Sequence, residues 1–167
     1  MKTPDKSSQR FRRLKAEIGE NLADLKALVQ ELEGIKDSLV RDSVSTYDLR
    51  AVGSILHDFY NGVEDLFCRI AQELNGGLPA GKDWHRQLLV DMAVEIEGVR
   101  PPVISKLLKR ELQRYLGFRH VFRHIYGFSL EKERIRELCD SLPSVLDSLE
   151  RDLLKFCQYL DILSQEV

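Results

Sequence analysis

Apolar residues return every three or four positions along almost the whole of this chain, and nowhere do they alternate. A period near 3.6 buries one stripe of a helix, whereas a strand needs a period of 2, so the pattern constrains the chain to helices packed on one another. From about 8 to 40, Phe11, Leu14, Ile18, Leu22, Leu25, Val29, Leu32 and Leu39 mark one long helix. Ser45 and Thr46 are capping candidates for a second, carried by Val52, Ile55, Leu56, Phe59, Val63, Leu66, Phe67, Ile70 and Leu74. The glycine-rich run from Gly76 to Gly81 breaks it. A shorter helix is predicted from about 84 to 96, and Gly98 to Pro102 interrupts again, because proline offers no backbone donor and restricts the residue before it. A third long helix is predicted from 103 towards Tyr126, ending at Gly127. The last runs from 131 to about 163, with a restart expected at Ser141-Leu142-Pro143, where Ser141 can cap and proline fits the first turn. The expected fold class is an all-α antiparallel bundle of about five helices.

Composition then limits what such a bundle can do. With 167 residues, 43% hydrophobic and 31% charged, the chain can build one ordinary core, and a single domain over 1–167 is expected. The net charge of −2 does not steer a polyanion, so affinity for nucleic acid requires a local patch. Cys68, Cys139 and Cys157 are odd in number and lack metal-type spacing, which fits a reduced, cytoplasmic compartment and buried small side chains. No apolar run approaches the roughly 20 residues of a membrane span, so no membrane association is expected.

Chemistry concentrates on the third long helix. At about 100° per residue, Ile104, Leu107, Leu108, Leu112, Tyr115, Phe118, Phe122 and Ile125 share a band roughly 140° wide, the predicted core face. Between Pro101 and Tyr126, Lys106, Lys109, Arg110, Arg114, Arg119 and Arg123 face a lone anion, Glu111: a basic outer face suited to phosphate. Two of the four histidines, His120 and His124, stand among these cations. Arginine is a permanent planar cation for phosphate oxygens, and histidine exchanges protons near neutral pH, which is the pair that RNA cleavage needs. Arg119 and His124 lie about 140° apart on an ideal helix, so either the helix distorts or a second copy of the chain completes the site. On the second helix, Tyr60 and Glu64 are one turn apart and either support such a site or pair structurally. His57 reads as a surface histidine, and Trp84 and His85 as packing and capping residues.

The segment Arg119-His120-Val121-Phe122-Arg123-His124-Ile125-Tyr126 resembles the Arg-x4-His-x-Tyr signature of HepT-like ribonucleases of the HEPN superfamily. Further blocks are similar in the same order: His57 to Glu64, Trp84-His85, Arg100-Pro101-Pro102, and Phe118 through Phe128. The resemblance implies a HEPN-like bundle and the toxin of a type II toxin–antitoxin module: a metal-independent endoribonuclease without cofactor, acting as a homodimer whose two motifs line one cleft. Arg119 and His124 would be its catalytic pair, with His120, Arg123 and Glu64 auxiliary. Its partner would be an MntA-like nucleotidyltransferase antitoxin that transfers AMP to Tyr126. The other reading is a catalytically inactive HEPN binding module, or the helical subunit of a nucleotidyltransferase complex.

Overall fold

The computed structural model describes residues 5–40, 44–124 and 131–166. Five α-helices account for most of them: α1, Lys6–Ile35; α2, Thr46–Leu74; α3, Trp84–Met92; α4, Lys106–His124; and α5, Lys132–Glu166. Among the described residues there is no β-strand, only an isolated antiparallel bridge between Ile96 and Arg100. The expected all-α bundle is the fold. Helix α2 touches each of the other four helices, while α1 lies on α2 and α5. Its burial matches that central place, with Val52, Leu56, Phe59, Val63, Phe67 and Ile70 almost wholly excluded from solvent.

Helix ends follow local chemistry. The Ser45 hydroxyl accepts from the Asp48 N–H at 3.0 Å, so the predicted cap on α2 forms. The helix stops where Gly76 (φ 77°) and Gly77 (φ 139°) take backbone angles that side chains disfavour. Helix α1 tightens into a 3-10 turn over Lys36–Val40, within the expected extent. Ser105 starts α4, its hydroxyl accepting from the Leu108 N–H at 3.2 Å. The expected start at 103 is too early: the Val103 and Ile104 N–H groups donate instead to the Met92 carbonyl, at 2.8 and 3.2 Å.

Helix α3 ends at Met92 rather than near 96. Arg100 is the reason. Its buried guanidinium donates to the Asp91 carbonyl at 2.9 Å and to the Val94 carbonyl at 3.1 Å, taking acceptors that a longer helix would use for its own N–H groups. It also reaches Asn75 Oδ1 at 2.8 Å, so one side chain ties the ends of α2 and α3 together. Helix α5 shows no restart at 141–143; it is continuous with Pro143 inside it. Ser141 is no cap: its hydroxyl lies 3.2 Å from the Leu138 carbonyl and 2.8 Å from the Tyr115 hydroxyl. Leu138, Leu142, Val145, Leu146 and Leu149 form one unbroken buried stripe across the proline. Burying several such side chains at about 1.5–3 kcal/mol each outweighs the ~3 kcal/mol an interior proline costs.

On α4 the predicted core band needs one correction with a functional consequence. Leu107 is 69% exposed, while Arg119 is 5% exposed. The buried arc runs from Phe118 to Leu112, about 120° at 100° per residue; Leu107 falls just outside it and Arg119 within it. Phe122 is half-buried against the core, and Ile125 lies outside the described residues.

Candidate active site

A guanidinium placed inside the buried arc needs several acceptors or a counter-charge, because an unpaired ion away from water is costly. Helix α2 supplies one. Glu64 comes three residues after Asn61 and four after Tyr60, so both side chains flank it on the helix surface. Arg119 Nη1 donates to Glu64 Oε1 at 2.7 Å and to Asn61 Oδ1 at 3.1 Å, and the guanidinium carbon lies 5.2 Å from the centre of the Tyr60 ring. Burial, with the Glu64 carboxylate adding to it, pushes the Tyr60 phenol far above its ordinary value, so this ring is an apolar floor rather than a proton source.

The third member comes from α3. His85 Nδ1 stands 2.8 Å from Glu64 Oε2 and 2.9 Å from Arg119 Nη2, and the Trp84 ring stacks on its imidazole with centres 3.7 Å apart. Glu64 thus bridges a buried arginine and a half-buried histidine from two different helices. The expectation that Trp84 and His85 pack and cap holds only for packing: Asp83 occupies the cap position of α3 without a side-chain bond, and His85 turns into the network. His57 is also not a plain surface residue; it is half-buried, 3.1 Å from Asn61 Nδ2 and 5.4 Å between ring centres from Phe122.

Above this network lies a cleft of about 480 Å³, walled by the start of α3 and the end of α4, with Lys82, His85, Arg86, Arg119, His120, Arg123 and His124 among its lining residues. Arg119 and His124 therefore border one cleft of a single chain despite the angle between them. The arginine enters from beneath, and the histidine stands exposed in the last turn. His124 Nδ1 donates to the His120 carbonyl at 2.7 Å, which leaves Nε2 for other partners, and the two imidazoles are 4.6 Å apart. Arg119, which by angle falls at the edge of the predicted core band although it counts among the cations of α4, is buried, and Arg114 on the outer face is engaged by Glu111 and Glu137. Tyr126, the expected modification site, lies outside the described residues.

Sequence reasoning placed Arg119, Glu64, His120, Arg123 and His124 near one site, and the structure brings them together. It missed Asn61 and His85 as members. Their signal was a buried arginine needing several acceptors, visible only once burial is known. No group of three or more His, Cys, Asp or Glu among the described residues is arranged to hold a metal ion. The cysteines offer no nucleophile: burial pushes the Cys139 thiol to about 12, and burial, with the nearby Glu64 carboxylate adding to it, pushes the Cys68 thiol to about 11, which removes the thiolate.

Residues 51–160 match the family of HepT-like proteins. The chain belongs to the HepT-like family. That span runs from the first turns of α2 into α5 and contains Asn61, Glu64, His85, Arg119 and His124, so the network and its cleft lie within the HepT-like region, while α1 precedes it. No curated protein and no solved structure matches the chain. No described helix is long and apolar enough to cross a membrane.

Proposed function

We propose that this HepT-like protein is an endoribonuclease toxin that cleaves RNA in the cleft between α3 and α4, without a metal. The observation that carries the reading is the convergence of Arg119, His120, Arg123 and His124 on one cleft, with Arg119 held from behind by Glu64. An arginine edge at the cleft floor can bind a phosphate oxygen as charge develops on it, and an imidazole at the rim can move a proton. The products would carry a 2′,3′-cyclic phosphate and a 5′-hydroxyl.

Family resemblance adds two finer parts to the proposal: a homodimer, and silencing by an MntA-like nucleotidyltransferase that transfers AMP to Tyr126. A single chain already brings Arg119 and His124 to one cleft, so the angular argument for a dimer falls away and the dimer rests on resemblance alone. Sedimentation at micromolar concentration decides it, and a strict monomer removes it.

Purified protein incubated with RNA in EDTA tests the activity. Wild type should cleave, and His124→Ala should lose about 100-fold or more. Wild-type-like cleavage by His124→Ala removes that residue from the reaction; no cleavage by the wild type removes the enzyme. The burial of Arg119 and its bonds to Asn61, Glu64 and His85 favour a second reading, in which Arg119 only braces the bundle. Arg119→Lys separates the two. It keeps the charge facing Glu64 but loses the planar fork, so cleavage should fall in a protein that still folds.

A further inference from the structure

We infer that His85 is a second proton-transfer residue of the cleft, oriented by Glu64 and poised to act as the base opposite His124; this rests on the ribonuclease reading above. Both neighbours of His85 meet the same nitrogen, Nδ1: Glu64 Oε2 at 2.8 Å and Arg119 Nη2 at 2.9 Å. A guanidinium only donates and a carboxylate only accepts. With its proton on Nδ1, the ring donates to Glu64 and shows a lone pair at Nε2; with Nδ1 bare, it accepts from Arg119 and carries its proton at Nε2. Each tautomer therefore finds a partner without the ring moving. Nε2 has no partner among the described residues, and the half-buried ring lines the cleft. Trp84 stacks on its face and limits its rotation.

The ring of His85 lines the same cleft as Arg119 and the His124 imidazole, which puts its second nitrogen within reach of whatever the cleft binds. The arrangement repeats one part of the logic of a carboxylate behind a histidine base: by accepting from Nδ1, Glu64 fixes the ring's orientation and the tautomer that bares Nε2. His124 lines the same cleft from the last turn of α4, and because its Nδ1 donates to the His120 carbonyl, Nε2 is the nitrogen left to hand a proton to a leaving oxygen. In the resulting step, Nε2 of His85 takes the proton of the ribose 2′-hydroxyl as the 2′-oxygen bonds to phosphorus. The bond from phosphorus to the 5′-oxygen breaks, and that oxygen receives a proton from His124. Protons and charge balance, and no water or redox partner enters.

The test uses the full chain and two substitutions. Asparagine can place its amide NH2 or its oxygen near the Nδ1 position but has nothing at Nε2, so His85→Asn keeps one bond, to Glu64 or to Arg119, as each tautomer of the histidine does, while deleting the base. It should retain the wild-type melting temperature, lose about 100-fold or more in cleavage, and lose the rise of kcat/KM on the acid side of the pH profile. His85→Ala should lose as much and regain at least about tenfold in added imidazole. Cleavage by His85→Asn within about threefold of wild type, or a slower enzyme with the acid limb intact and no imidazole rescue of His85→Ala, overturns the inference while leaving the ribonuclease reading in place. Absence of cleavage by the wild type itself overturns both.

Discussion

Arg119 and Glu64 are 5% and 6% exposed, so whatever they do for chemistry they also balance each other's charge inside the bundle. Removing one partner of a buried pair leaves the other uncompensated, at about 3–5 kcal/mol. Glu64→Ala and Arg119→Ala should each lower the unfolding free energy in urea by about 3 kcal/mol or more. His124→Ala, at an exposed residue whose contacts among the described residues are a bond to the His120 carbonyl and the neighbouring His120 ring, should stay within about 0.5 kcal/mol. A Glu64→Ala protein less than about 1 kcal/mol weaker would mean that water reaches the pair. A loss of activity in Arg119→Ala is thus read only alongside its stability, which makes His124→Ala and Arg119→Lys the cleaner probes. Arg119 and His124 stood out in the sequence because they fall within one short motif of the family that the chain resembles, not through their spacing alone. His85 did not: it stands 21 residues from Glu64 and 34 from Arg119, on another helix, and no period links such positions.

At the scale of elements, periodicity located all five helices but not all of their ends. Val94 and Ile96 continue an apolar pattern past Met92, and only the tertiary hydrogen bonds of Arg100 show why α3 stops there. Ser141-Leu142-Pro143 carries a local start signal that the buried stripe of α5 overrides. Where α5 packs on α4, Tyr115 donates to the Leu138 carbonyl at 2.8 Å, and Cys139 lies beside that residue. Burial pushes the Tyr115 phenol from 10.0 to about 12 and the Cys139 thiol from 9.0 to about 12. Folding favours the neutral form of both groups. Their contribution is therefore complete below the ordinary values and is lost as pH rises through the folded ones. The urea midpoint should fall steadily between about pH 9 and pH 12, and Tyr115→Phe should show a shallower fall over the upper part of that window. A midpoint unchanged from pH 8.5 to pH 11 would mean that neither group is desolvated as the packing indicates.

For the whole molecule, 25 basic and 27 acidic side chains average to almost nothing, and the average conceals how the charge is placed. The sequence showed a basic stretch along α4 but not which cations share a cleft, because Lys82 and Arg86 arrive from the other wall and Arg119 is withdrawn into its ion pair. Lys82, Arg86 and Arg123 are the exposed cations lining the cleft, with Asp83 as the anion beside them. Three phosphate contacts to single-stranded RNA correspond to a slope of about −2 in log affinity against log salt. Binding should then weaken about 20-fold between 50 and 200 mM salt. Arg86→Ala should weaken it for all sequences alike and make the slope shallower by about 0.7. Arg110 is exposed on α4 but does not line the cleft, so Arg110→Ala should leave both affinity and slope unchanged. Filter binding or fluorescence anisotropy over a salt series, with a noncleaving His124→Ala background, measures all three. A slope near zero, or an equal loss on substituting Arg110, would place RNA on the outer face of α4 instead of in the cleft that Arg119, His85 and His124 surround.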